Sequence, residues 1–507
     1  MKTMPLLSNI FTEAVRCWPE NIALRDLEKT WSYQELFDQV IKYKNAINRV
    51  LPNDITSRCI AVYGEKSVDT IAVILAILAS GYAYMPLDIT WPADRITNTL
   101  ILANPQLFIT TNLNPYLKNQ LSKIRFNQPI LDAFSLPNTS NTISELSLSC
   151  SGEKIAYVLF TSGSTGAPKG VCVSHRAALS ALTMLLEHIG INTNDKIMNQ
   201  AACCYDLTMF DLFLAFKVGA EVHLLPPSIT KVPKECINYA RTHEMTSIFI
   251  VSSALEYILK YTESENYTLH FKRLLLTGDP VSDTLISLLR KRLIPQCEIW
   301  NLYSAVEMPY AFAEKIQLTE KVNYLKKFSY IGSQIEFELK NDFCAIKTEG
   351  ELIVTSPVLF SGYLTSSHTL QEIESHALTK YATGDWVKLE SSGIELYGRI
   401  DRQIKVLGNR IELDDIESTI ESLPNIQSAA VCYDKSNKAV ICFVVSKIKT
   451  MGYVELKQWC IKKLPAIMHP NTFIFIEEMP RTTTGKKDRT YLINYHINLN
   501  LSKDVIN

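Results

Sequence analysis

The sequence predicts an α/β fold in which helices cover mostly parallel β-sheets. Short runs rich in β-forming residues alternate with helical segments up to about residue 330; the clearest runs are residues 196–198, 221–225, 247–251, 273–276 and 298–302. Such alternation is typical of parallel sheets, which bind ligands beyond the carboxyl ends of their strands. The chain has 507 residues, which is too long for one core and suits two or three domains.

The first 150 residues contain local signals for individual elements. Ser32 is followed three residues later by Glu35, which is a capping box at the start of a helix. Residues 59–63 form a short apolar run that predicts a buried strand, and residues 68–80 predict a helix that ends at Gly81. We expect these elements to be scaffold.

The last third of the chain changes in character. The sequence that begins at Gly350, GELIVTSPVLFSGYL, predicts short antiparallel strands and hence a β-rich subdomain. Roughly a hundred residues follow Asp401, and we expect them to form a separate small α+β domain.

Composition excludes several classes of protein. The chain is 47% hydrophobic and 20% charged, as is ordinary for a globular protein. Its formal net charge is −1, so its overall charge does not favour binding to nucleic acid or to an anionic membrane. The first residues lack the features of a signal peptide, and the longest apolar run, residues 71–79, is far shorter than the ~20 residues that span a bilayer. Twelve cysteines occur without a C-x-x-C pair, which indicates reduced thiols. We therefore expect a cytoplasmic protein.

The most informative stretch is residues 157–175, YVLFTSGSTGAPKGVCVSH. Two apolar runs flank a loop of small residues, whose glycines let the backbone approach a ligand closely. Hydroxyl and N–H donors converging in such a loop suit an anion, and Lys169 adds a positive charge for phosphate oxygens. A flexible polar hairpin is the alternative interpretation. The loop does not follow the G-x-x-x-x-G-K-[ST] pattern, because Lys169 lies between Pro168 and Gly170.

This stretch resembles the phosphate loop of the adenylate-forming (ANL) superfamily, which includes acyl-CoA synthetases, luciferases and the adenylation domains of nonribosomal peptide synthetases. The resemblance implies the ANL fold: an N-terminal adenylation core domain, here residues 1–400, and a small mobile α+β C-terminal domain, here residues 401–507. It also implies ATP and Mg²⁺, and a hinge at Asp401.

Residues 301–307, NLYSAVE, resemble the family's N-x-Y-G-P-T-E. The resemblance implies that Tyr303 stacks on adenine and that Glu307 holds Mg²⁺ through its carboxylate. Ser304, Ala305 and Val306 depart from the pattern. Val306 has no hydrogen-bonding group where the family has threonine, so a weakened or silent enzyme is an alternative.

Three further segments extend the resemblance toward the C-terminus. Asp385 in YATGD would accept hydrogen bonds from the ribose hydroxyls, and Arg399 in GRID would contact the ribose or a phosphate. Lys486 in TTTGKKDR matches the family's catalytic lysine, whereas Lys487 does not. The implied catalytic residues are Lys486 and Glu307. The implied ATP-binding residues are Thr161, Ser162, Gly163, Ser164, Thr165, Gly166, Lys169, Gly278, Asn301, Tyr303, Ser304, Asp385, Arg399 and Lys486.

Residues 205–213, YDLTMFDLF, resemble the F-D-x-S segment of the members that activate amino acids. Asp206 would pair with the α-ammonium of the substrate, since a buried ammonium needs a partner. We expect Asp211 to cap a helix. The implied side-chain pocket is mostly apolar and carries no charge; it consists of Leu207, Phe210, Phe249, Leu275, Thr277, Leu302, Tyr310 and Ala311.

The pocket pattern is most similar to stand-alone proline-activating members, although Thr277, Tyr310 and Ala311 depart from it. The resemblance implies that the protein makes an aminoacyl-AMP, with L-proline or another small uncharged amino acid as substrate. No G-G-x-S attachment site occurs in the chain, so we expect transfer to the phosphopantetheine thiol of a separate carrier protein. The alternatives are an acyl-CoA or aryl-acid ligase of the same fold, and a protein that binds ATP without turnover.

Overall fold

The computed structural model describes residues 6–51, 59–111, 115–123, 126, 128–133, 151–161, 168–318, 327–330, 335–341, 348–375, 378–390, 393–406, 409–448, 452–482 and 486–504. The chain divides into two compact units. The first consists of Met1–Ile89, Leu100–Phe160 and Gly170–Ile400, and the second of Thr90–Thr99, Thr161–Lys169 and Asp401–Asn507.

The elements up to residue 174 follow the predicted alternation. In chain order they are α1 (Leu7–Cys17), β1 (Ile22–Arg25), β2 (Thr30–Ser32), α2 (Tyr33–Val50), β3 (Cys59–Tyr63), α3 (Val68–Ala79), β4 (Ala83–Leu87), α4 (Ala93–Ala103), β5 (Leu107–Thr110), α5 (Pro115–Lys123), β6 (Ile130–Asp132), β7 (Ile155–Thr161) and β8 (Lys169–Ser174). The predicted capping box is present, because Ser32 and Glu35 each accept a backbone hydrogen bond from the other at the start of α2. Every residue of α3 is buried, as its apolar sequence predicts.

The middle of the chain continues the alternation and then becomes β-rich. Its elements are α6 (His175–Leu186), β9 (Lys196–Asn199), α7 (Asp206–Val218), β10 (Glu221–Leu224), α8 (Pro227–Thr230), α9 (Pro233–Thr242), β11 (Ser247–Val251), α10 (Ser252–Tyr261), β12 (Arg273–Thr277), α11 (Asp283–Arg292), β13 (Glu298–Ala305), β14 (Met308–Ile316), β15 (Lys327–Tyr330), β16 (Glu336–Lys340), β17 (Glu349–Thr355), β18 (Gly362–Leu364), α12 (Leu370–Ser375), β19 (Tyr381–Glu390) and β20 (Gly393–Arg399).

Two large sheets form among the described residues. One has 13 strands in the order β16-β17-β19-β20-β15-β14-β13-β12-β11-β9-β10-β1-β2, and the other has seven in the order β18-β8-β7-β4-β3-β5-β6. Strands β9 to β13 pair in parallel, whereas β13 to β20 pair antiparallel. The parallel region of the larger sheet therefore passes at β13 into the β-rich part. The predicted fold class is confirmed.

The second unit has its own sheet and core. The elements after Ile400 are β21 (Gln403–Val406), β22 (Asn409–Glu412), α13 (Leu413–Glu421), β23 (Ile426–Asp434), β24 (Ala439–Ser446), α14 (Tyr453–Lys463), a 3₁₀ turn (Ala466–Met468), β25 (Thr472–Phe475) and α15 (Arg489–Asp504). Strands β23, β24 and β25 form one sheet, and apolar residues of α13 and α14 pack with it in one cluster. This is a small α+β arrangement.

Composition predicted that no segment spans a membrane and that the cysteines are reduced. None of the helices in the described ranges combines the length and the apolar character that crossing a membrane requires. The cysteines in those ranges are all free thiols.

Candidate active site

Tyr303, Asp385 and Arg399, three of the residues predicted to bind ATP, form one cluster in the β-rich part of the first unit. Asp385 on β19 lies opposite Arg399 on β20, and the Arg399 Nη1 donates hydrogen bonds to Asp385 Oδ1 at 3.2 Å and to the Thr383 carbonyl at 3.0 Å. The Tyr303 hydroxyl donates to Asp385 Oδ2. Burial, together with the Asp385 charge, raises the pKa of Tyr303 well above its usual range. The Asp385 carboxylate thus acts as a hydrogen-bond acceptor for Tyr303 and Arg399. Ribose hydroxyls are donors of the same kind.

The neighbouring predicted residues lie on β13 or directly after β12. Asn301 is buried on β13 and pairs with Leu276 on β12, while Gly278 comes directly after β12 with a left-handed φ of 84°. Ser304 Oγ accepts a hydrogen bond from the Tyr310 N–H at 3.3 Å. Val306, which replaces the family's threonine, packs against the apolar core, so it has a structural role in this chain.

Glu307 lies in the turn between β13 and β14 and is fully buried. Its Oε1 accepts a hydrogen bond from the Tyr363 hydroxyl at 2.8 Å, and its carbonyl accepts one from the Phe360 N–H at 2.9 Å. No group of three or more His, Cys, Asp or Glu side chains suited to a metal occurs in the described part of the chain. A single hard carboxylate fits Mg²⁺, which takes one or two carboxylates together with waters and phosphate oxygens.

The predicted phosphate loop is described only at its two ends. Thr161 is the last residue of β7, and Lys169 is the first residue of β8. A Cβ at Gly170 would lie 2.8 Å from Val158 Cγ1, so only glycine fits beside β7 at this position. Ser162, Gly163, Ser164, Thr165 and Gly166 lie outside the described residues.

Asp206 is the first residue of α7 and is buried, with 7% of its surface exposed. Its charge acts on three buried tyrosines of other elements: Tyr84 on β4, Tyr157 on β7 and Tyr310 on β14. Burial raises the pKa of each of these phenols, and the charge of Asp206 raises it further. Asp206 is therefore a buried carboxylate whose charge is felt by three buried phenols.

Asp211 does not cap a helix, and that prediction was wrong. It lies in the second turn of α7, is fully buried, and accepts a hydrogen bond on Oδ2 from Asn199 Nδ2 at 2.7 Å. The N-cap of α7 is Tyr205. Burial raises the pKa of Asp211 to about 8, against the opposing effects of the Asn199 hydrogen bond and the Lys66 charge.

Most residues of the predicted side-chain pocket meet in the core of the first unit. The Phe210 and Tyr310 rings are perpendicular with centroids 4.4 Å apart, and Phe249 lies 6.1 Å from Tyr310. Phe249 on β11 pairs with Leu275 on β12. All these side chains are buried, and the same core cluster contains Phe210, Phe249, Leu275, Leu302, Tyr310 and Ala311, with Leu207 packed against it.

The two remaining features of this region concern Thr277 and Tyr310. Thr277 is buried at the end of β12, where it pairs with Val251. Tyr310 has a left-handed backbone with a φ of 53°, which is unusual for a bulky residue. Its hydroxyl is buried and has no hydrogen-bond partner within the described ranges. The Tyr310 ring contacts both Phe210 and Phe249.

The second unit carries two adjacent lysines with different surroundings. Lys487 Nζ donates to Glu417 Oε1 at 2.7 Å, to Glu421 Oε1 at 2.8 Å and to the Ala429 carbonyl at 2.7 Å. Lys486 is exposed, and its backbone exchanges hydrogen bonds with Thr482. All three donors of Lys487 are in use. We therefore propose that Lys486, and not Lys487, is the lysine that meets a ligand.

Asp401 marks the first residue of the continuous C-terminal segment of the second unit. Its Oδ1 accepts a hydrogen bond from the Gln403 N–H at 3.1 Å, just before β21. This contact forms a short local turn.

Comparison with protein families identifies both parts of the chain. Residues 11–364 match the model for the AMP-binding enzyme, and residues 415–486 match that for the AMP-binding enzyme C-terminal domain. The chain belongs to the AMP-binding enzyme family. These matches cover the β13–β14 turn with Glu307 and end at Lys486.

Curated relatives include a peptide synthase and a carrier-protein ligase. The chain is 29% identical over 511 residues to bacitracin synthase 1 of Bacillus licheniformis, an alignment that covers 96% of this chain and 9% of that protein. It is 26% identical over 502 residues to the L-proline–[L-prolyl-carrier protein] ligase of Pseudomonas fluorescens, covering 96% of this chain and 98% of that protein. The chain thus spans a small part of the first relative and nearly all of the second.

Solved structures share the fold. An o-succinylbenzoate CoA synthetase of Bacillus subtilis, solved as a double mutant, superimposes with a TM-score of 0.80 at 19% identity, covering 95% of this chain and 97% of that one. This likeness shows that the chain has the same fold as that synthetase.

Sequence reasoning missed Tyr363, whose hydroxyl contacts Glu307. Tyr363 lies on β18, which pairs with β8 through Val171. Fifty-six positions separate the two residues in sequence, and no local pattern near Tyr363 indicates the contact.

Proposed function

We propose that the protein activates an amino acid with ATP and then transfers it to a separate carrier protein. In the first step a carboxylate oxygen of the amino acid attacks the α-phosphorus of ATP. The bond from that phosphorus to the bridging oxygen breaks, which gives aminoacyl-AMP and pyrophosphate. In the second step the phosphopantetheine thiol of the carrier loses its proton and attacks the acyl carbonyl, and AMP leaves.

The observation that carries this proposal is the buried carboxylate of Asp206, whose charge acts on Tyr310 of the predicted side-chain pocket. A buried ammonium without a partner costs several kcal/mol, and breaking a buried pair costs ~3–5 kcal/mol. An amino acid supplies an ammonium that matches such a carboxylate. Fatty and aryl acids have no ammonium, so they offer no group of opposite charge to Asp206.

The nucleotide roles follow from the resemblance and agree with the chemistry of the groups. Lys169 and the loop before it would bind the phosphates, Tyr303 the adenine, and Asp385 with Arg399 the ribose. Glu307 would hold Mg²⁺, which offsets the negative charge of the phosphates when it is bound. The Lys486 ammonium would stabilise the charge that develops at the α-phosphate.

We propose L-proline, or another small uncharged amino acid, as the substrate. The contacts of the Tyr310 ring with Phe210 and Phe249 favour a small side chain, and none of the eight predicted pocket residues carries a charge that would pair with a charged one. The similarity to an L-proline–[L-prolyl-carrier protein] ligase along nearly its whole length supports both the substrate class and the carrier.

Exchange of radiolabelled pyrophosphate into ATP tests the proposal. The assay is run with each common amino acid, with fatty acids and with aryl acids. We expect exchange with one small uncharged amino acid or a few of them. Exchange with fatty or aryl acids alone would assign the chain to the acyl-CoA or aryl-acid ligases instead. ATP binding without exchange for any acid would indicate that the Ser304–Val306 departure has silenced the enzyme.

A further inference from the structure

Lys66 places a buried cation next to the segment that leads into α7. It lies between β3 and α3, one residue before Ser67, the N-cap of α3. Its Nζ donates hydrogen bonds to the Asn199 carbonyl at 3.0 Å, to Asn199 Oδ1 at 2.9 Å and to the Ala201 carbonyl at 2.9 Å. A lysine ammonium has three donors, and all three are used on this one segment.

The same segment is bonded to the first turns of α7. Asn199 Nδ2 donates to Thr208 Oγ1 at 3.1 Å and to Asp211 Oδ2 at 2.7 Å. The Thr208 hydroxyl lies 2.9 Å from the Ala201 carbonyl and 3.1 Å from the Ala202 carbonyl. Asp206 is therefore flanked on both sides of the sequence by residues of one hydrogen-bond network. The network joins the end of β9, the segment after it and the start of α7 to Lys66.

The ammonium of Lys66 is withdrawn from water even though part of the residue is exposed. Burial lowers the pKa of Lys66 to about 8, while neighbouring Cys203, Asp211 and Cys204 act in the opposite direction. Burying a charge is costly unless its hydrogen bonds are satisfied. Three hydrogen bonds to one segment satisfy the ammonium and fix the geometry of the backbone and side chain that accept them.

We propose that Lys66 is a positioning residue for the amino-acid site. It holds residues 199–201 in place, and through Asn199 and Thr208 it sets the position of the first turn of α7, which carries Asp206. Lys66 does not contact the substrate in this proposal; it acts through the Asp206 carboxylate. The inference rests on the proposed function, because it assumes that Asp206 binds the ammonium of an amino acid.

The test measures pyrophosphate exchange with Lys66→Met, Lys66→Arg and, as a matched control, Lys44→Met. Lys44 is a buried lysine of α2 with a lowered pKa. We expect Lys66→Met to raise the KM for the amino acid by about 10- to 100-fold, since small displacements of a positioning group have effects of that size. The KM for ATP should change by less than about twofold, within the scatter of such measurements. Lys66→Arg should recover part of the loss, and Lys44→Met should leave both KM values unchanged.

The outcomes separate this inference from the proposed function. If the wild-type protein shows no amino-acid-dependent exchange, the proposed function itself is wrong. Wild-type exchange with an unchanged amino-acid KM in Lys66→Met, or with equal rises in both KM values, would overturn the positioning role. If Lys66→Met does not fold, Thr208→Val removes the hydroxyl from the same network while preserving shape. The same selective rise in KM is then expected, and its absence would overturn the proposal.

Discussion

At the scale of single residues, two adjacent lysines with identical side chains have opposite environments. Lys487 is bound by two carboxylates and a carbonyl, whereas Lys486 is exposed. An ammonium that already uses its three donors stabilises its own unit. An exposed one is able to meet a ligand, so the two positions should respond differently to substitution.

Lys486→Ala should lower the rate of pyrophosphate exchange by ~10²–10³-fold, the usual loss for one preorganised charge donor. The melting temperature should stay close to that of the wild type because the side chain is exposed. Lys487→Met is the matched comparison. It should lower the melting temperature, since Glu421 loses its lysine partner and Glu417 loses one of its three cationic partners, keeping Arg402 and Arg489. A larger loss of exchange in Lys487→Met than in Lys486→Ala, with the protein still folded, would contradict the assignment.

Asp206→Ala should raise the KM for the amino acid steeply while ATP binding stays near normal. The loss of a buried charge partner corresponds to ~3–5 kcal/mol. Exchange kinetics give the two KM values, and titration calorimetry gives the affinity for ATP. Asp206→Asn tests charge separately from shape, because asparagine has nearly the same shape as aspartate and carries no charge. A normal KM in Asp206→Asn would mean that no ammonium binds to this carboxylate.

Asp211 should make the stability of the protein depend on pH. Its pKa is about 8 in the folded protein against an ordinary value of 3.8. Between these two values the unfolded chain releases a proton that the folded protein keeps, so native stability falls as the pH rises. Asp211→Asn lacks this titration. Thermal unfolding at pH 5 and pH 8 should therefore show a smaller decline for the variant, and equal declines would contradict the buried, protonated carboxyl.

At the scale of elements, the β13–β14 hairpin serves both halves of the candidate site. It carries Tyr303 toward the Asp385 cluster, Glu307 in its turn and Tyr310 against Phe210 of α7. Strand β13 is also where parallel pairing changes to antiparallel pairing. One hairpin at this junction therefore carries residues predicted to bind the nucleotide and residues predicted to bind the amino acid.

Tyr310→Ala should widen the range of amino acids that the protein activates. Removing the ring opens space beside Phe210 and Phe249, and larger apolar amino acids should then support exchange. The cost in stability should be ~3–5 kcal/mol, as for other buried aromatic truncations. Phe213→Ala is the control, because Phe213 contacts Phe216 instead. It should destabilise comparably without changing substrate preference. An unchanged preference in Tyr310→Ala would exclude this ring as a limit on substrate size.

At the scale of the whole molecule, the chain consists of two compact units, and the long C-terminal segment of the second unit begins at Asp401. Members of the adenylate-forming superfamily are expected to turn about this position between the two half-reactions. A residue that must change its backbone angles should not tolerate proline, which fixes φ near −65°.

Asp401→Pro should leave pyrophosphate exchange largely intact and lower the transfer of the aminoacyl group to a phosphopantetheine thiol by at least about tenfold, as expected for impaired hinge motion. The two steps are followed separately by exchange and by thioester formation on a carrier protein. Asp401→Ala removes the contact with the Gln403 N–H but keeps backbone freedom, so it should support both steps. Equal loss of both steps in Asp401→Pro would indicate a structural defect instead.

The sequence by itself determined the elements and the family. The capping box at Ser32, the apolar α3 and the strand runs up to β13 depend on neighbours within a few residues, so local propensity and periodicity identified them. The phosphate-loop, hairpin and lysine motifs are continuous segments, and they sufficed for the resemblance and for a list of candidate residues. They did not reveal what each side chain contacts.

Only the tertiary structure decided those contacts. Asp211, predicted as a cap, is a buried carboxyl that binds Asn199. Lys66 reaches Asn199 across 133 positions, Tyr363 reaches Glu307 across 56, and Lys487 reaches Glu417 across 70. Pairings of this kind depend on strand order and helix packing, which bring remote segments together. A side chain's burial, charge state and partners are properties of that packing, and no pattern within one segment encodes them.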